Sequence, residues 1–194
     1  MKKLDAADLW SLEQYARERD AFRVAMIERR RRRRLQLGPH CTLSFEDRET
    51  IRYQVQEMLR AERIFEGAGI QEELAVYNVL IPDGHNLKAT MLIEYQDPAV
   101  RARQLVLLRG IERTVWLSVA GHEPVTAIAD EDLERDSGSK TSAVHFLRFE
   151  LDAARIADLK AGAALGIGIN HPQYLQRVDG IGGALRAALL SDFD

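Results

Sequence analysis

The sequence predicts an α+β fold: a mainly antiparallel sheet covered by helices, with a helical N-terminal segment. Three observations carry that prediction. Apolar residues in the first third recur at helical spacing. From residue 87 onward the period falls to two, with Leu87, Ala89, Met91, Ile93 and Tyr95 alternating against Lys88, Thr90, Leu92 and Glu94. Within residues 111–129 two strand-like runs are separated only by Gly121-His122, which is hairpin spacing. Elsewhere the strand–helix–strand spacing is too irregular for a doubly wound sheet.

Each element has a local reason. Asp5 or Asp8 caps a first helix whose face carries Leu9, Leu12 and Ala16, with Trp10 alongside. A second helical run passes through Phe22, Met26 and Ile27 into six consecutive arginines, and Gly38-Pro39 stops it. Residues 1–40 are thus a helical segment with an arginine-rich end, and residues 41–194 the α+β domain. Cys41, Leu43 and Phe45 alternate with polar residues in a short strand. Asp47 caps a helix over residues 48–66, a Gly67-Ala68-Gly69 break follows, and a further helix runs from Ile70 to Val79. Pro82-Asp83-Gly84 is a turn before the strand ending at Tyr95. Asp97-Pro98 opens a helix that Gly110 ends. Strands are expected at 115–119, more weakly at 123–129, at 144–151 and at 163–169. A polar loop spans Asp130–Ser142, Asp152 caps a short helix ending at Gly162, and the last helix covers 181–190.

At 194 residues the chain is long enough to bury a core without staples. A single cysteine, Cys41, excludes an internal disulfide framework and fits a reducing, cytoplasmic setting. No apolar run reaches membrane-span length, and the basic start has no apolar region behind it, so no signal peptide is expected. Charge is uneven: residues 1–40 carry eleven Lys/Arg against six Asp/Glu, while the remainder is acidic. With pI near 6.0 the chain is not a general nucleic-acid binder, although a local basic patch remains.

The candidate chemistry centres on carboxylates. Ile51, Val55, Met58, Glu62 and Phe65 recur in steps of 4, 3, 4 and 3, which places Glu62 in an apolar stripe. A buried charge is costly unless paired or bound. Glu73 lies on the following helix, and Glu57 and Tyr77 are near. If the two helices fold back on each other, Glu62, Glu73 and Glu57 form a carboxylate site suited to a divalent metal such as magnesium, calcium or manganese. No Glu-x-x-His pair exists, which excludes a ferritin-like di-iron site at the level of motif. The favoured alternative pairs Glu62 with Arg48, Arg52, Arg60 or Arg63. His145 shares a strand face with Leu147 and Phe149 and is expected to be a hydrogen-bonded core residue. His171, in Asn170-His171-Pro172 with Tyr174 following, is a further candidate at a strand end. Cys41 is expected to pack inertly. Arg29, Arg30, Arg31, Arg32, Arg33 and Arg34 cover every side of a helix and are the candidate surface for an acidic partner or nucleic acid. A solvated or intramolecular role is favoured for them, because arginine suits a helix C-terminus and no aromatic residues interleave.

The run Leu43-Ser44-Phe45-Glu46-Asp47-Arg48-Glu49-Thr50-Ile51-Arg52-Tyr53-Gln54-Val55-Gln56-Glu57-Met58-Leu59-Arg60 resembles the core of an uncharacterised bacterial family, domain of unknown function 3501. Gln71-Glu72-Glu73-Leu74 with Tyr77-Asn78, Leu80-Ile81-Pro82-Asp83-Gly84 and Phe146-Leu147-Arg148-Phe149-Glu150-Leu151 resemble it too. So does Gly162-Ala163-Ala164-Leu165 leading to His171-Pro172 and Tyr174. The resemblance spans nearly the whole chain and brings no catalytic residue. It implies, by association, an accessory role in redox or iron handling beside a rubrerythrin-like or iron–sulfur oxidoreductase-like partner. The sequence therefore ranks a non-catalytic accessory or binding protein first, a carboxylate-liganded metal protein or enzyme second, and a nucleic-acid or acidic-partner binder acting through Arg29–Arg34 third.

Overall fold

The computed structural model describes residues 1–131 and 139–193. Its first long element is α1, Leu12–Arg32, capped by the Ser11 hydroxyl, which accepts from the Gln14 N–H at 3.2 Å. Asp5 caps only a single 3-10 turn at Ala6–Asp8, so the two helical runs expected here are one helix with a later start. That helix also ends earlier. Arg34–Leu37 is strand β1, and Gly38 is the turn of a hairpin rather than a helix stop. Leu35 and Leu37 alternate with polar residues, and Leu37 is fully buried, so the short strand gains more than another helical turn would. Gly38 holds φ +66°, and a Cβ there would collide with the Gln176 side chain and the Tyr174 hydroxyl.

The hairpin partner is β2, Cys41–Phe45. Asp47 then caps α2, Arg48–Glu62, by accepting from the Glu49 and Thr50 N–H groups. The helix stops at Glu62 because Arg63 takes a left-handed conformation at φ 58°. Gly67 and Gly69 fall in the first turns of α3, Gly67–Asn78, instead of forming a break ahead of it. Strand β3 is Asn86–Ile93, and α4 is Pro98–Leu107 with Asp97 as cap and Pro98 at its first position, as the spacing predicts. The chain continues through β4 Val115–Val119, β5 Val125–Thr126, β6 Ile128–Ala129 and β7 Val144–Glu150. It ends with α5 Ala153–Lys160, β8 Leu165–His171, β9 Tyr174–Val178 and α6 Gly183–Leu190. Strand β9 has no counterpart in the sequence reading, because its Leu175 is 73% exposed and breaks the apolar pattern. Most of the expected polar loop, residues 132–138, lies outside the described residues.

The strands form two antiparallel sheets rather than one. The first has the order β1-β2-β3-β7-β6 and the second β5-β4-β8-β9. Their inner faces share one core, which also takes in Leu105 of α4, Leu159 of α5 and Leu189 of α6. In β8 the glycines serve neighbouring side chains: a Cβ at Gly168 would overlap the Trp116 ring, and one at Gly166 would press on the Ser118 hydroxyl. The Tyr174 hydroxyl of β9 links the sheets. It donates to the Leu37 carbonyl at 2.6 Å and accepts from the His40 and Cys41 N–H groups at 2.9 and 3.1 Å. A second, smaller core joins α2 and α3 to the N-terminus through Leu4, Ile51, Val55, Leu59, Leu74 and Ile81.

Between α1, α2 and the C-terminus sits Arg33, only 2% exposed. Its Nε donates to the Phe45 carbonyl at 3.0 Å. Nη1 reaches the Ala188 carbonyl at 3.0 Å and Asp47 at 3.3 Å. Nη2 reaches the Glu46 carbonyl at 3.2 Å and the Asp192 carboxylate. The guanidinium thereby makes four hydrogen bonds and stands in ion-pair range of Asp47 as well. Asp47 also accepts from Arg29 Nε at 2.7 Å. Asp192 Oδ1, by contrast, has no partner. Burial pushes the Asp192 carboxyl up to about 6, against the opposing pull of Arg33.

Removing the guanidinium alone leaves two buried carboxylates, so Arg33→Met is expected to cost roughly 3–5 kcal/mol by urea unfolding at pH 7. The folded state holds the Asp192 proton more tightly than the unfolded chain. Its contribution is therefore fully present below pH 4 and is lost as pH rises through about 6. The wild type should therefore lose about 3 kcal/mol of stability relative to Asp192→Asn across that window. A flat difference between pH 4 and 7 would contradict the assignment.

Candidate binding cleft

Pleating decides which residues leave the core. In β3 the alternation buries Leu87, Ala89, Met91 and Ile93 and turns Thr90 and Leu92 to the other face. In β7 His145, Leu147 and Phe149 face inward, and Val144 and Phe146 outward. Register then sets Ser44, Thr90 and Phe146 in one row across the sheet and Leu92 beside Val144 in the next. This outer face is the floor of a cleft of about 680 Å³, within the range of small-molecule sites. Ile27, Arg30 and Arg31 of α1 form one wall, and Ile51 and Gln54 of α2 with Tyr77 and Leu80 form another. Arg34 and Glu46 complete it.

The floor is polar at one end. Glu46 Oε1 accepts from the Thr90 hydroxyl at 2.7 Å and Oε2 from the Thr50 hydroxyl at 2.6 Å. Arg30 lies with Cζ 5.3 Å from the centre of the Tyr53 ring and Nη2 3.4 Å from Gln54 Oε1. The other arginines of the block are drawn to acids. Arg31 and Arg32 pair with Glu28 and Arg34 with Glu94, each at about 3 Å. Arg29 pairs with Asp47. The block therefore does not wrap a helix as the sequence suggests. It straddles the α1–β1 junction, its members point different ways, and Arg33 is too deeply buried to meet a partner.

The carboxylate candidates do not assemble as expected. Glu62 is exposed, as is Phe65, at 71%. The buried stripe of α2 is Ile51, Val55 and Leu59, which shares its first two residues with the expected one and then steps by 4 to Leu59 instead of by 3 to Met58. Glu62 does lie close enough to Glu73 to help raise its pKa, after burial and together with Glu72. Glu57 is committed elsewhere. It accepts from the Tyr15 hydroxyl at 2.6 Å and from Arg19 at 2.7 and 2.8 Å, tying α1 to α2. Arg19 above all holds its carboxyl down near about 2. Among the described residues, no three His, Cys, Asp or Glu side chains group as metal ligands.

The remaining candidates lie in packed or hydrogen-bonded surroundings. His171 is 7% exposed; its Nδ1 accepts from the Gln173 N–H at 3.2 Å, so Nε2 carries the proton and donates to the Arg109 carbonyl at 3.1 Å. Tyr174 is the inter-sheet link, its own ionisation pushed up to about 12 by burial. Tyr77 reaches the cleft while packing on the smaller core. His145 is a hydrogen-bonded core residue, with Nδ1 2.6 Å from Asp130 and Nε2 2.9 Å from the Thr141 hydroxyl. Burial pushes the Cys41 thiol up to about 12. The sequence reading missed Glu46, Gln54, Thr90 and Phe146. The period-two pattern marks Thr90 and Phe146 as outward, but nothing local shows that α1 and α2 come to stand over them.

The fold and cleft define a two-sheet α+β protein with a lined pocket on the outer face of one sheet. The chain belongs to the family described as protein of unknown function DUF3501, whose model matches residues 3–193. A crystal structure of a novel protein of unknown function from Burkholderia pseudomallei K96243, at 1.90 Å resolution, is 49% identical, with 100% of each chain covered and a TM-score of 0.94. No curated protein matches.

Cys41 is fully buried and its thiolate disfavoured, so it should resist a thiol-specific disulfide reagent in the folded protein and react fully in denaturant. Stoichiometric labelling within minutes under native conditions would contradict that packing.

Proposed function

We propose that the protein is a non-catalytic accessory protein that works by binding, and that the cleft on the outer face of the first sheet is its ligand site. The observation that carries this reading is Arg30. It lines a cleft of suitable size and makes no ion pair among the described residues, while its neighbours in the block do. An unneutralised guanidinium beside apolar surface favours a ligand with an anionic group and an apolar body. Ile27 and Val144, 60% and 37% exposed at the cleft, together with Leu80, Leu92 and Phe146, supply that apolar surface.

A redox or iron-handling setting in a bacterial cytoplasm, beside a rubrerythrin-like or iron–sulfur oxidoreductase-like protein, is part of the same proposal and is supported by the family resemblance alone. No helix among the described residues is long and apolar enough to cross a membrane.

The binding reading is tested with 1-anilinonaphthalene-8-sulfonate, an anion with an apolar body. Saturable fluorescence is expected, weakened about tenfold or more by Arg30→Gln, the scale of one charged hydrogen bond, and by Phe146→Glu. Arg103→Gln, on the exposed surface of α4, should leave it unchanged. Dye binding indifferent to the two cleft variants would refute the site.

A further inference from the structure

The cleft contains a second unneutralised charge, of opposite sign. Glu46 lines the same cleft as Arg30 and, like it, makes no ion pair among the described residues. Its two oxygens are held by hydroxyls of Thr50 and Thr90, which fix the carboxylate in place and leave its charge uncompensated. Arg33 approaches Glu46 only at the backbone carbonyl. Arg30 and Glu46 do not pair with each other either. One wall thus offers a cation, the floor an anion, and Leu92, Phe146 and Leu80 line the space with apolar surface.

The geometry points to a zwitterionic ligand: a free apolar amino acid or a short apolar peptide, its carboxylate on Arg30 and Gln54 and its ammonium on Glu46. A simple anion such as a fatty acid or the anilinonaphthalene dye answers Arg30 alone and leaves Glu46 unanswered, so it binds with one charged contact where a zwitterion has two. Amino acid and peptide share the same two end groups, and a cleft of about 680 Å³ has room for more than one residue. This inference rests on the cleft being the ligand site.

The test is calorimetric titration of the wild-type protein with L-leucyl-L-phenylalanine, its N-acetyl derivative, its C-terminal amide, and free L-phenylalanine. A zwitterion should bind, and each blocked dipeptide should bind at least tenfold more weakly. Tighter binding of free phenylalanine assigns the site to amino acids, and tighter binding of the dipeptide assigns it to peptides. Glu46→Gln should abolish the penalty for acetylation, and Arg30→Gln the penalty for amidation. Blocked and free dipeptides binding alike would overturn the zwitterion. So would a failure of every zwitterion while the anilinonaphthalene dye still binds in a manner sensitive to Phe146→Glu, and in that case the cleft reading stands. Absence of both overturns the two together. The wild-type ligand series decides the matter even if a variant fails to fold.

Discussion

A guanidinium taken out of water needs every N–H answered, and Arg33 has its donors answered by groups from widely separated parts of the chain. Phe45, Glu46 and Asp47 come from the link between β2 and α2, and Ala188 and Asp192 from the C-terminal end. The end of α1, the start of α2 and the C-terminus are therefore fixed by one side chain. Asp47 adds a second duty, capping α2 with one oxygen while the other accepts from Arg29 and lies in ion-pair range of Arg33. The net stabilisation from such a site is modest, because desolvation consumes much of the attraction. Its value lies in geometry: the charges have no other low-energy arrangement.

That fixation has a consequence for the cleft. Arg30 stands about one helical turn before Arg33 and Arg34 one residue after it, at the start of β1. Glu46 contributes its backbone carbonyl to Arg33 and its side chain to the cleft floor. The wall that presents the free guanidinium and the floor that presents the free carboxylate are thus held relative to each other by the same buried junction. Under the proposed binding role, that shared anchoring lowers the ordering cost a ligand would meet.

Arg33 is embedded and answered, whereas Glu62, expected to be embedded, is exposed. An embedded charge must have a companion, but whether a charge is embedded depends on the phase of its helix. Ile51 and Val55 are common to both possible stripes, and continuation through Met58 or through Leu59 is equally helical in spacing. Two facts choose Leu59: α2 ends when Arg63 turns left-handed, and the smaller core receives the face that includes Leu74 and Ile81. The arginine run carries a similar ambiguity. Six identical residues have no periodicity of their own, so the point where helix gives way to strand is invisible until Leu37 is buried and Gly38 turns.

Residue order alone is enough wherever short-range physics enforces the outcome. The caps at Asp47, Asp97 and Asp152, the strand periods of β2, β3, β4 and β7, and the inward placement of Cys41 and His145 each depend on neighbours within a few positions. The family resemblance was legible for the same reason, being carried by contiguous runs. That the strands divide into two sheets, that Arg33 is the buried arginine of six, and that Arg30 and Glu46 share a cleft emerges only in three dimensions. Those outcomes depend on residues far apart in the chain meeting at one place, and on the cost of leaving any one of them unpaired, which no local pattern records.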